Sequence, residues 1–317
     1  MQSIGYGHRI NWNKTVMPAI KERLDAFSQR GITPTLRAMF YALVSLRVIP
    51  NLQPQYQYLS HFTARARENG QLPIDCFADQ SRRIIQDFND TYETMEDYVE
   101  RGVSHLENAT YNYPKGIPRW HRQPHYVEVW IEKDALSGTF KSILGNRQVK
   151  IVPNRGFSSV SFNYENIERL KAYQDEGREI HIRYFGDLDP SGESIDEIIT
   201  TKLAQYGIFG VDFQRVAVTE EQMYRFNLPH NPDLETLNKL RRDTRARSFM
   251  TRHDGELFQI EVDALQAYAP DEFKRLVQLS VDQFFDEDTY QQILAEYAPT
   301  EINRLVKKTL RSLLKRM

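Results

Sequence analysis

The sequence predicts an α/β protein with a helical N-terminal module, a mainly parallel α/β domain and a helical C-terminal part. Three observations predict it. Apolar residues recur at helical spacing between residues 16 and 69. Short β-branched and aromatic runs alternate with helical stretches between 125 and 218, the pattern of parallel strands joined by crossover helices. Beyond 219 the periodicity is again mainly helical. With 317 residues, 40% apolar and 26% charged, the chain is long enough for two domains with real cores.

The elements follow in order. "VMPAIKERLDAF" spaces Ile20, Leu24 and Phe27 along one helical face, and Gly31 breaks it. Thr33 or Thr35 caps a second helix, "TLRAMFYALVSLR", whose apolar stripe is Leu36, Phe40 and Leu43. "IPN" stops it, and "PQYQYLSHFTARAREN" (54–69) forms a third helix with a basic tip at Arg65 and Arg67. "GQLPIDCFADQSRR" reads as a short β-wing carrying Arg82 and Arg83. Three short helices and a wing describe a winged-helix module over 1–85, with 54–69 as recognition helix. Residues 86–124 form an acidic helix and a linker rich in Asn, Pro and aromatics. The α/β domain spans 125–218, with strands at 125–132, 148–154, 179–186 and 213–218, and helices near 137–144, 161–176 and 193–206. Residues 219–317 are mainly helical, with one further candidate strand, "LFQIEV" (257–262).

The net charge of −2 is unevenly spread. Residues 1–85 carry 11 Lys and Arg against 5 Asp and Glu, net +6, and the remainder carries 30 against 38, net −8. A basic module on an acidic body points to a polyanionic partner. The single cysteine, Cys76, excludes a disulfide framework or a cysteine-rich zinc site and fits a reducing compartment. The N-terminus lacks the apolar core of a signal peptide, and no run approaches membrane-spanning length. The expectation is a cytoplasmic protein without a membrane partner.

The chemistry lies at strand ends. In "HIRYFGDLDPSGESIDEII" a strand closes at Gly186, and Asp187 and Asp189 follow. Asp189 is a natural N-cap with Pro190 in the first helical position. Asp187 is not explained that way. Two carboxylates spaced i, i+2 repel unless a cation lies near them. Glu132 ends the strand "HYVEVWIE", and the three acids from two strand ends describe a hard, all-oxygen site that favours Mg²⁺ over zinc. Neither a G-x-x-x-x-G-K-[ST] loop nor a G-x-G-x-x-G turn is present, which argues against nucleotide hydrolysis and dinucleotide binding. Lys133 and Arg155 are candidate phosphate contacts at strand ends. "FQIEVDAL" echoes "VWIEKDAL", so Glu261 or Asp263 adds a ligand, or Asp263 caps the helix that follows.

"IEKDAL" followed by "GDLDPSG", with Asp187 standing 55 residues after Glu132, resembles the Toprim domain of topoisomerases, primases and several nucleases. The wording is most similar to the topoisomerase VI A subunit and its meiotic double-strand-break relative, in the compact stand-alone form found on mobile elements. That resemblance implies a winged helix, a Toprim domain and Mg²⁺ held by Glu132, Asp187 and Asp189. It also implies a catalytic tyrosine in an "R-x-x-[FY]-Y" helix, which "LRAMFY" matches with Arg37 and Tyr41. The i, i+4 spacing puts those two on one helical face. A phenol is a weak nucleophile that needs a neighbouring cation, and a tyrosine at a helix border also serves simply to pack.

The implied activity is Mg²⁺-dependent cleavage of duplex DNA by Tyr41, leaving a 5′ phosphotyrosyl link. The implied setting is a nucleoid-associated homodimer with a separate ATPase subunit. Two alternatives stand beside it: a hydrolytic Toprim nuclease of a mobile element or defence system, and a non-catalytic DNA-binding module. DNA contacts are expected at Arg65, Arg67, Arg82, Arg83, Lys133 and Arg155.

Overall fold

The structure is a computed structural model that describes residues 10–78, 94–108, 118–154, 160–230, 234–296 and 299–315. Two compact units make up the chain: Met1–Ser81 with Val127–Gln283, and Arg82–Tyr126 with Phe284–Met317. The basic N-terminal segment therefore packs with the α/β segment in the first unit.

The N-terminal helices are α1 (Met17–Gln29), α2 (Leu36–Ser45) and α3 (Gln53–Glu68). Gly31, at φ +67°, turns the chain out of α1, a conformation that glycine adopts without strain. Thr35 is the cap that starts α2, its hydroxyl accepting the Ala38 N–H at 3.0 Å. Every residue from Ala38 to Leu43 is buried, so α2 lies inside the unit rather than along its surface as the apolar stripe predicts. The predicted wing is absent from 71–78, where no strand forms. The backbone N–H groups of Gln71 and Leu72 turn back to the Ala66 carbonyl, and Pro73 has none to give to a ladder. The rest of the wing, with Arg82 and Arg83, lies outside the described residues. So does the first half of the predicted acidic helix; α4 (Met95–Glu107) covers its end.

The sheet has four strands: β1 (His125–Ile131), β2 (Lys150–Pro153), β3 (Glu179–Phe185) and β4 (Asp212–Ala217). Their order is β2-β1-β3-β4, in parallel register. The crossovers are α5 (Ser137–Leu144), α6 (Val160–Asp175), and α7 (Pro190–Glu193) with α8 (Ile195–Gln205). The sequence predicts one helix where α7 and α8 stand; the Ser194 hydroxyl donates back to the Pro190 carbonyl at 3.2 Å, a bond that bends helices. β1 and β3 are buried at all but their first positions, as central parallel strands require. Glu128 is tolerated in β1 because Arg169 meets it through two hydrogen bonds and Trp130 through a third.

With this order, the chain runs outward in opposite directions from β1 and β3. Their adjacent carboxyl ends form the topological switch point, where open α/β sheets bind ligands.

The first unit continues with α9 (Glu220–Arg225), α10 (Leu234–Arg241), α11 (Ala246–Arg252), α12 (Val262–Tyr268) and α13 (Pro270–Asp282). Of the strand expected at 257–262, only one antiparallel bridge forms, between Ile260 and Leu188. The core gathers Phe140, Phe185 and Phe273 in edge-to-face contact, and Trp130 is fully buried in β1. In the second unit, Arg119 stacks on Phe285 ahead of α14 (Glu287–Glu296), and Arg122 pairs with Glu296 at 2.7 Å. An amphipathic helix, α15 (Pro299–Leu314), follows.

Candidate functional site

The site is built on the turn after β3. Both glycines of "GDLDPSG" are demanded by close approach. A Cβ on Gly186 would overlap the Tyr184 ring, and one on Gly192 would strike the Asp187 carbonyl. Asp189 caps α7 by accepting the Gly192 N–H at 2.6 Å, with Pro190 in the first turn, as its sequence context predicts. Arg215, from β4, braces the turn from beneath. It donates to the carbonyls of Gly186 and Asp187, each at 3.2 Å, and of Gly192 at 2.6 Å, and is itself paired with Asp196.

Glu132, at the end of β1, accepts the Asp187 N–H at 2.6 Å, which joins the two strand ends. Asp187 is almost wholly buried. One of its oxygens accepts the Val262 N–H at 3.1 Å, and the other meets the Lys133 ammonium at 2.6 Å. Glu132 and Asp189 are half-buried.

The segment 259–263 lies over the turn. Gln259 donates to Asp189 at 3.3 Å, Ile260 exchanges backbone bonds with Leu188, and Asp187 accepts the first N–H of α12. The sequence offers Asp263 as a cap of this helix. It is instead a buried residue of its first turn, and the Thr35 hydroxyl donates to it. Glu261 holds the cap position, yet its side chain makes no cap. It pairs with Arg37 at 3.3 Å and lies 3.6 Å from Lys133. Thr35–Asp263 and Arg37–Glu261 thus dock α2 against the carboxylate rim within one unit. The Arg37 guanidinium also stacks on Tyr56, 3.8 Å from the ring centroid.

The electrostatics are those of a site with too many anions. Five carboxylates (Glu132, Asp187, Asp189, Glu261 and Asp263) gather at the rim; Lys133, Arg37 and Arg215 are the cations among them, and Arg245 acts on Asp189. Burial raises the carboxyls of Asp187, Glu132 and Asp263 above the ordinary range; Lys133 pulls all three down, and neighbouring carboxylates push them further up. Burial alone would lower the Lys133 ammonium, but Asp187 and Glu261 outweigh it and hold it charged. Tyr41 is buried, and burial followed by the Glu261 charge keeps its phenol protonated far above the usual range; Arg37 and Lys133 pull the other way.

A hard divalent cation suits this donor set, because every candidate ligand is a carboxylate oxygen and the surplus charge is negative. One orphaned polar group lies beside the rim: the Asn154 side chain, buried at the end of β2, has no hydrogen-bond partner on either polar atom. The oxygens of Glu132, Asp187 and Asp189 are not all within 4.8 Å of one another, and Lys133 is the cation that touches Asp187.

Of the residues singled out from the sequence, Arg37, Glu132, Lys133, Asp187 and Asp189 come together here, and Tyr41 lies within the field of Glu261, Arg37, Asp263 and Lys133. Arg65 is exposed on α3, and Arg67, near it, rests against Phe77. Arg82, Arg83 and Arg155 lie outside the described residues. Sequence reasoning missed Thr35, Tyr56, Asn154, Arg215 and Gln259 as parts of the site. The only signal was the "IEVDAL" echo, which brought Glu261 and Asp263 forward. Among the described residues, no helix is long and apolar enough to cross a membrane. Comparison of the chain with protein-family models, curated proteins and solved structures finds no match.

Proposed function

We propose that this chain cleaves duplex DNA in a Mg²⁺-dependent reaction at the carboxylate rim of β1 and β3. One observation carries the reading: Glu132 and the Asp187–Leu188–Asp189 turn stand at adjacent strand ends, at the switch point of the sheet. Glu132, Asp187 and Asp189 are the residues that would hold Mg²⁺, which when bound neutralises phosphate charge and stabilises the leaving oxygen. Lys133 and Arg37 supply the positive charge that receives a phosphodiester. Tyr41, one turn beyond Arg37, is the nucleophile: its phenolic oxygen bonds to phosphorus, the bond from phosphorus to the 3′ oxygen breaks, the phenolic proton ends on that departing oxygen as a 3′ hydroxyl, and a 5′ phosphotyrosyl link results.

The topoisomerase VI A resemblance extends the proposal. Residues 1–85 act as a winged helix, with Arg65, Arg67, Arg82 and Arg83 on DNA phosphates, and Arg155 joins Lys133 there. Residues 125–218 act as a Toprim domain, in a nucleoid-associated homodimer served by a separate ATPase subunit.

A second reading, hydrolysis by water at the same carboxylates, is favoured by the burial of Tyr41. Cleavage of duplex DNA with Mg²⁺, stopped with SDS, separates the two. Protein bound covalently to DNA in the wild type and lost in Tyr41→Phe supports transesterification. Full cutting by Tyr41→Phe without an adduct makes the chain a hydrolytic nuclease. No Mg²⁺-dependent cutting under any condition removes the proposal.

A further inference from the structure

Glu261 sits where a phosphate would. Its Oε2 faces the Arg37 guanidinium at 3.3 Å and the Lys133 ammonium at 3.6 Å, and Lys133 also meets Asp187 at 2.6 Å. That oxygen is buried and makes no hydrogen bond to either, so it has lost its water without gaining a full replacement. Capping does not explain the residue, because its side chain makes no bond to its own helix. Nor is it needed to anchor the segment. Ile260, Val262 and Asp263 do that through Leu188, Asp187 and Thr35. Arg37 is meanwhile held by stacking on Tyr56, which presents its fork in a fixed orientation. A carboxylate bracketed by one arginine and one lysine carries the charge of a phosphodiester in the geometry that recognises one.

We propose that Arg37 and Lys133 form an oxyanion subsite for a DNA phosphodiester, and that Glu261 occupies it in the resting chain as an internal competitor that substrate must displace. The inference rests on the DNA-cleaving reading for the identity of the ligand, but the binding it describes needs neither Mg²⁺ nor cleavage. Phosphate oxygens, which accept several charge-assisted hydrogen bonds, satisfy both cations better than the one carboxylate oxygen does. The resting arrangement keeps the subsite closed, with burial first and the Glu261 charge second holding the proton on Tyr41.

The test uses the full chain in EDTA, with inorganic phosphate and a short duplex as separate probes. Affinity is read from ³¹P shifts for the first and from anisotropy for the second. Removing an internal competitor raises apparent affinity by the inverse of the open fraction, so Glu261→Gln is expected to bind each probe about tenfold more tightly than the wild type. Adding Lys133→Gln to that variant is expected to cancel the gain. If Glu261→Gln is unstable, Glu261→Asp withdraws the carboxylate by one methylene and is expected to shift affinity the same way. Phosphate should also restore the lost melting temperature of Glu261→Gln more than it raises that of the wild type.

Unchanged or weaker binding by folded Glu261→Gln, or a stability loss that phosphate does not recover, overturns the proposal and makes Glu261 a structural tie. A gain for inorganic phosphate without one for the duplex overturns the phosphodiester assignment. Tighter binding by a protein that never cuts DNA counts against the cleavage reading alone.

Discussion

Two charged clusters lie at opposite ends of β3, and they are built on opposite principles. At the amino end, His181 and Arg183 both meet Asp212 of β4, and Asp212 is held below the usual carboxylate range, chiefly by its hydrogen bond from Arg183. At the carboxyl end, Asp187 is held well above that range by burial against the pull of Lys133, with Glu132 and Glu261 adding to the rise. The first cluster matches its charges and gains from being ionised. The second gathers carboxylates that the fold itself leaves undercompensated. Structural ion pairs are selected for the first condition; sites that await a cation or an anion-bearing ligand show the second.

The sharpest break of this comparison is Glu132→Gln. The amide still accepts the Asp187 N–H, so the junction of β1 and β3 survives while one anionic ligand is lost. DNA cleavage is expected to fall by about 10³-fold, the scale of losing a preorganised charge at a reacting phosphate, with an unchanged circular dichroism spectrum. Asp212→Asn, at the opposite end, should leave cleavage intact.

Thr35→Val tests the join between α2 and the rim. It deletes the α2 cap and strips the buried Asp263 of its donor, and is expected to cost about 2–3 kcal/mol in urea unfolding at constant slope. Thr35→Ser should recover most of it.

The pH dependence separates the clusters by sign. The Asp263 carboxyl is raised in the folded state, so the folded chain holds its proton more tightly than the unfolded chain does. Its contribution to stability therefore declines as pH rises above about 4, until the folded value is passed. Asp212 is lowered, so its contribution is present above about 4 and is lost as pH falls through the folded value. Melting temperatures in EDTA should show a shallower decline toward neutral pH for Asp263→Asn. Asp212→Asn should lose the acid-side dependence instead.

The smallest effect concerns α3. Replacing Arg65 and Arg67 by Ala should flatten the dependence of DNA affinity on log salt by roughly one unit for each phosphate that is no longer neutralised. An unchanged slope would remove α3 from the DNA interface.

What the sequence made legible was local. Asp189 announces itself as a cap because Pro190 follows it, and Glu132 stands at a strand end because Val127, Val129 and Ile131 precede it. The two glycines of the turn carry their steric reason in their spacing. What stayed hidden depends on distant partners. Asp263 meets Thr35 across 228 residues, and Val262 meets Asp187 across 75. No periodicity records either pairing. The helix carrying Arg37 and Tyr41 has an amphipathic reading because its stripe is real, yet it is buried because α12 covers the face the stripe leaves polar, using Glu261 and Asp263 to match Arg37 and Thr35. That no strand forms over 71–78 has a local reason visible in Pro73, which has no N–H to give to a ladder.

Calorimetric titration of Mg²⁺ tests most directly whether the carboxylate rim is a cation site. The wild-type chain is expected to bind Mg²⁺ at a site that Asp187→Asn with Asp189→Asn abolishes, without loss of helical signal. Equal Mg²⁺ binding by the wild type and the double variant, or no binding by the wild type, would contradict the account.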